Sequence, residues 1–192
     1  MNLKCIIKNM ENNSSSRRPV ALTLTVLGAL GRLLPHPPNF TPVGSVSLFA
    51  GARLPLWQAY LVPLIVMALT DPIVSLYYHV APFTLSQVFI YSSLLISVWI
   101  GRRLCNSNSV ARIGGAALLC SLQFFFITNF PVWLLGSLYP KTAAGLAACY
   151  TAGLPFLGWT VAGDLFYAGV LFGLHAWLSR TVATSERVPS AA

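Results

Sequence analysis

Six ionisable side chains stand apart from the basic clusters that flank the apolar runs of this chain: Arg32, His36, Asp71, His79, Lys141 and Asp164. An ionisable group at membrane depth is costly unless it is paired or faces a bundle interior or cavity. Arg32 and Asp164 are therefore expected either to pair with each other or to share a ligand. The plainer alternative is a static ion pair that holds one helix against another. Arg32 and Lys141 could meet negative groups of a solute, while Asp164 could orient Arg32 or bind an amine. Asn39 and Asn129 each sit in an Asn-Phe-then-Pro neighbourhood, where an amide can hydrogen-bond a ligand or satisfy freed backbone groups. Two of the six also have bland readings: Lys141 as a snorkelling anchor, and Asp71 as the end of a helix before Pro72.

Aromatic and sulfur-bearing residues add less. Trp133, Tyr139, Trp159, Tyr77 and Tyr78 read first as an interface belt and second as stacking partners for a planar ligand. His36, His79 and His175 show no HxH or HxxxH spacing, so no metal site is expected. Cys5, Cys105, Cys120 and Cys149 show no CxxC pair and read as small hydrophobes. No cofactor is implied.

The surroundings of these residues set the class of protein. Of 192 residues, 56% are hydrophobic and 8% charged, with mean hydropathy +0.70; soluble domains carry roughly 25% charged residues. An integral, multi-pass membrane protein is expected, with the lipid bilayer as a partner. The net charge of +8 is dispersed between apolar runs without a patch or aromatic interleaving, which excludes nucleic acid.

The expected fold is all-α: a six-helix transmembrane bundle over 19–180, between a polar cytoplasmic tail at 1–18 and a second at 181–192. The crossings fall at 19–34, 42–53, 55–70, 83–101, 111–129 and 157–179. The stretch 131–155, broken by Gly136, Pro140, Lys141 and Gly145, is expected to re-enter or cap rather than span. With both termini inside, the cytoplasmic side collects ten of the twelve Lys and Arg, and the outer side keeps Arg32 and Lys141, a clear positive-inside bias. The run from Pro19 meets the proline turn with no small-x-small site, so no cleaved leader is expected. The second crossing covers only about 18 Å of a core about 30 Å thick. The polar turn before it, residues 35–44, must therefore dip into the membrane, where it can survive only in protein or against a watery cavity. A short or interrupted helix is also a pointer to a transporter binding site. The stripes Ala21-Thr25-Ala29, Ala144-Ala148-Ala152 and Gly169-Gly173 are expected to pack within the bundle.

The run from Arg32 through Pro35-His36-Pro37-Pro38-Asn39-Phe40-Thr41-Pro42-Val43-Gly44, then Ser47-Leu48-Phe49-Ala50-Gly51-Ala52, resembles the signature of a family of small, uncharacterised bacterial membrane proteins classed with transport proteins. Thr128-Asn129-Phe130 with Trp133, Tyr139-Pro140-Lys141-Thr142, Ala148-Cys149-Tyr150 and Gly163-Asp164-Leu165 extend the likeness over about residues 20–180. That family in turn resembles the substrate-binding S components of energy-coupling factor transporters. The resemblance implies a bacterial inner-membrane location and capture of a vitamin or similar micronutrient on the outer face. It also implies an outer loop that closes over the ligand, and docking of a transmembrane coupling subunit with ATPases through small residues of the first helix. Here those residues appear only as Ala21, Thr25 and Ala29.

Together these readings predict a transport protein, not an enzyme, that holds a small polar solute at Arg32, His36, Asn39, Phe40, Asn129, Trp133, Lys141 and Asp164. Two alternatives belong to other classes. One is a non-transporting structural or assembly subunit, distinguished by a packed outer half without a void near Arg32 and Asn39. The other is an intramembrane aspartyl protease, whose Gly-x-Gly-Asp is similar to the segment at Gly163-Asp164, although position 161 is Val161. It would need Asp71 and Asp164 in near contact to share a proton.

Overall fold

The computed structural model describes residues 17–79, 84–105 and 107–185. The tail to residue 16, with Lys4, Lys8 and Cys5, and the C-terminal stretch with Arg187 lie outside the described residues. Six helices follow one another: α1 (Arg17–Leu30, extended by a 3-10 turn at Gly31–Leu33), α2 (Val43–Arg53), α3 (Leu56–Tyr78), α4 (Leu85–Arg102), α5 (Val110–Leu135) and α6 (Ala143–Ser185). Among the described residues there is no strand. Four helices, α3 to α6, are long and apolar enough to cross a membrane, as expected of a membrane protein. With 14 and 11 residues, α1 and α2 reach only about 21 and 16 Å, short of the hydrocarbon thickness of about 30 Å.

Three boundaries differ from the sequence expectation. Residues 131–155 do not form a separate re-entrant piece: up to Leu135 they extend α5, then 136–142 make a loop, and from Ala143 they are the first turns of α6. Helix α3 does not stop at Asp71 but runs on to Tyr78. In each case a proline (Pro131, Pro155 or Pro72) sits inside the helix. An internal proline removes one backbone bond but does not force a stop where neighbouring groups satisfy what it frees. Helix α3 ends instead at His79, in the left-handed region at φ 54°. The third difference is the length of α6: its 43 residues span about 65 Å, well beyond one bilayer core.

Helix α2 is the centre of the molecule. Nine of its 11 residues are buried, and Phe49 stacks edge-on against Phe172 at 5.2 Å. Where α2 crosses α4, Gly51 and Gly101 face each other, and a Cβ on either would collide with a carbonyl of the opposite helix (Val98 or Leu48). Backbones that close demand glycine on both sides. The ends of α2 are matched in charge to its dipole. Asp164 lies at the N-terminal turn. At the C-terminal end Arg102 donates to the Leu54 carbonyl at 2.9 Å. There too Arg53 donates to the Ser107 carbonyl at 2.6 Å and to Asn108 Oδ1 at 2.8 Å.

The small-residue stripes divide. Ala21, Thr25 and Ala29 are buried in the core, so the face that the resemblance would assign to a coupling subunit is covered by the chain itself. By contrast Ala144, Ala148 and Ala152 are exposed, and Gly169 and Gly173 look onto open space, contrary to the expected internal packing. The reason is rotational: α6 turns Cys149 and Gly153 toward α5, which points the alanine stripe about 100° away.

Candidate functional site

The proline-locked segment between α1 and α2 folds back over α6. Asn39 adopts φ 65°, a left-handed conformation that Asn tolerates better than most residues. This turn directs the Phe40 ring into an aromatic cluster, 5.5 Å from Tyr167, 5.8 Å from Phe166 and 6.4 Å from Trp159. Beneath it Gly163 allows a close approach: a Cβ there would stand 3.2 Å from the Phe40 Cα. His36 turns back on the segment, its Nε2 3.2 Å from the Arg32 carbonyl and its Nδ1 3.1 Å from that of Pro37.

Two polar clusters lie below this cover. In the first, Arg32 Nη1 donates to Asp71 Oδ1 at 2.7 Å, to Thr70 Oγ1 at 3.2 Å and to the Met67 sulfur at 2.8 Å. Asp71 also accepts from the Tyr91 hydroxyl and, at 3.3 Å, from Gln87 Nε2. The side chains of Arg32 and Asp71 are 13% and 6% exposed, so this is a largely desolvated pair drawn from α1 and α3 and supported by α4. In the second cluster Asp164, 3% exposed, accepts from Ser121 Oγ at 2.7 Å and from Ser45 Oγ at 3.1 Å. The Ser45 backbone amide also hydrogen-bonds its carboxylate. A Cβ at Gly44 would collide with Asp164 Oδ1, so a glycine is required for the carboxylate to sit against the first turn of α2. A buried charge needs such partners.

Between the clusters is a chamber of about 160 Å³ whose wall includes Arg32, Asn39, Thr41, Phe124, Thr160 and Asp164. On the other side of Arg32 and Thr41 is a larger cavity of about 410 Å³, walled by residues 33–36 with Ile73, Val74 and Tyr77. A 160 Å³ space holds a solute of about one ring, since engineered cavities of about 150 Å³ take up benzene.

The expected direct pairing of Arg32 with Asp164 is therefore not what forms. Each has its own partner, because α3 continues past Pro72 and brings Asp71 to Arg32. The two nevertheless line one chamber, together with Asn39. His36 lines the outer cavity, and Phe40 anchors the cover. The other three expected residues lie elsewhere, Asn129 within α5 and Trp133 and Lys141 at the α5–α6 connection. Asn129 Nδ2 donates to the Phe125 carbonyl at 2.8 Å and Trp133 Nε1 to the Pro140 carbonyl at 2.9 Å. Lys141 donates to the Trp133 and Gly136 carbonyls. Asp71 and Asp164 belong to separate clusters with different hydrogen-bond partners. Among the described residues no group of His, Cys, Asp or Glu could hold a metal. Sequence reasoning missed Ser45, Ser121, Thr70, Tyr91 and Gln87. The available signal was modest: a polar atom inside an apolar helix that must find a partner.

Fold and site together define an all-helical membrane protein with a loop-covered polar chamber in its interior. The chain belongs to a family of unknown function, DUF6580, whose model matches residues 12–188. No curated protein and no solved structure matches it.

Proposed function

We propose that this protein is a transport protein, similar in principle to an S component, that captures a small polar solute beneath residues 35–44 for import. The observation that carries this reading is the convergence of Arg32, Asn39 and Asp164, far apart in sequence, on one chamber. A void at that place favours solute capture over a purely structural subunit, which would pack its polar turn solid. The positive-inside rule orients the molecule with both termini in the cytoplasm and the covered chamber toward the outside. In support, Arg53, Arg102 and the α4–α5 connection gather at one end and Arg32 lies at the other end of α2.

The residues divide the work. Arg32 and Asn39 offer donors to the solute, and Asp71 holds the guanidinium in place. Asp164 anchors α2 under the chamber and presents the one carboxylate among the described residues of its wall. Phe40, inserted among Trp159, Phe166 and Tyr167, latches the cover, which must swing away for entry. No covalent step is needed. The test is uptake and growth of the host on limiting micronutrients: Arg32→Ala and Asn39→Ala should impair both. Unchanged uptake and growth in both variants, with no solute bound to the purified protein, would sink the reading.

A further inference from the structure

The two cavities differ in charge as well as size. The inner chamber has Asp164 in its wall. Among the described residues the outer cavity is lined by Arg32 and His36 with no carboxylate, Asp71 pairing with Arg32 from outside its wall. Its remaining surface is largely Leu33, Leu34, Ile73 and Val74, of which Leu33, Leu34 and Ile73 are exposed, so the cavity is an open groove. Arg32 is common to both walls, so Asp164 is what weighs against an anionic group in the first. Arg32 forms the partition between them, and all of its hydrogen bonds to described residues leave through Nη1. Nε and Nη2 donate to none of them. A guanidinium has five donors arranged as a planar fork suited to a carboxylate, so the unused edge is the part that matches an incoming acceptor. Asp71 balances the charge of Arg32 through Nη1 alone, so what the guanidinium still offers is the pair of donors on its Nε/Nη2 edge. At about 410 Å³ the outer cavity lies within the usual range for small-molecule sites, whose walls are mainly apolar with a few polar groups.

We infer that the outer cavity takes an organic monocarboxylate, its apolar body against Leu33, Leu34, Ile73 and Val74 and its carboxylate on the free edge of Arg32. This assignment goes beyond the solute-capture reading: it concerns a second cavity, which shares Arg32 and Thr41 with the inner chamber. A water-soluble acid and a fatty acid from the bilayer share that chemistry.

The experiment is calorimetric titration of the full chain in phosphatidylcholine nanodiscs with benzoate, cyclohexanecarboxylate, benzamide and benzylamine. The two carboxylates are expected to bind saturably, and the amide and the amine at least about tenfold more weakly, the loss expected for a charge-assisted hydrogen bond. Arg32→Gln should abolish the preference for carboxylate. Arg32→Lys, which keeps the charge but not the fork, should retain part of it, so that a folding defect in one variant does not decide the result. Ile73→Thr, on the cavity wall, should weaken cyclohexanecarboxylate, while Trp133→Phe should not. Oleate in the nanodisc lipid that displaces benzoate assigns the cavity to a bilayer acid, and failure to displace assigns it to a soluble one. Binding of benzamide or benzylamine as tight as benzoate, or no saturable binding of any of the four, overturns the carboxylate assignment. Solute capture itself falls separately, when denaturing the purified protein releases no small molecule and the Arg32 and Asn39 variants leave uptake unchanged.

Discussion

Replacing Asp71 by Ala removes the acceptor for three donors at once: Arg32, Tyr91 and Gln87. Breaking one partner of a buried ion pair costs about 3–5 kcal/mol, mostly because the surviving charge is left uncompensated. Arg32 keeps 13% exposure and its contacts to Thr70 and Met67, which places the loss at the lower end, about 3 kcal/mol. Arg32→Met leaves Asp71 with two hydrogen-bond donors and should cost about 2 kcal/mol. The double variant Arg32→Met/Asp71→Ala holds no stranded charge; only the Tyr91 and Gln87 donors lose a partner, again about 2 kcal/mol. The expected coupling between the two sites is therefore about 3 kcal/mol. The assay is reversible unfolding in mixed micelles by titration with a denaturing detergent, followed by near-ultraviolet circular dichroism. A cost below about 1 kcal/mol for Asp71→Ala, or a double variant whose loss equals the sum of the singles, would refute the reasoning that this pair is desolvated and mutually dependent.

Other consequences follow from the same geometry. Gly101→Ala places a Cβ against the Leu48 carbonyl and should cost about 1–3 kcal/mol of stability in the same unfolding assay. Phe40→Ala removes three ring contacts, each worth about 0.5–1.5 kcal/mol, and should raise amide hydrogen exchange at residues 39–41 without changing that of α4. Ser121→Ala leaves Asp164 with one fewer donor and should destabilise the protein by about 1–3 kcal/mol. Lys141→Met should loosen only the α5–α6 connection, seen as faster exchange at 136–142, and leave solute binding at the wild-type level.

The parts of the molecule read correctly from sequence are those governed by local rules. The all-helical class follows from apolar runs and sparse charge, and the shortness of α2 from Arg53 and the proline turn. The interior position of Arg32 and Asp164 follows from the cost of charge among apolar neighbours. What was not legible depended on rotation and on distant partners. Pro72 after Asp71 resembles a helix stop, yet α3 continues, and that continuation presents Asp71 to a residue 39 positions earlier. The same applies to Pro155, around which α6 remains unbroken. Ser45 and Ser121 carry no pattern in sequence because a serine in a helix usually bonds its own backbone, as Ser121 also does to Ala117 at 3.2 Å. Asn129, Trp133 and Lys141 shared a level with the chamber by helix counting, but level alone does not specify which way a side chain points. Trp133 and Lys141 close the α5–α6 connection instead, and Asn129 turns back on the Phe125 carbonyl of its own helix.

The most direct test of solute capture beneath residues 35–44 is mass spectrometry of small molecules released on denaturing the nanodisc-held protein, compared among wild type, Arg32→Ala, Asn39→Ala and Trp133→Ala. A single solute released in near-stoichiometric amount by wild type and Trp133→Ala, and lost from Arg32→Ala and Asn39→Ala, is the expected result. Release of nothing by wild type, or equal release by all four, would contradict the assignment of that chamber as the binding site.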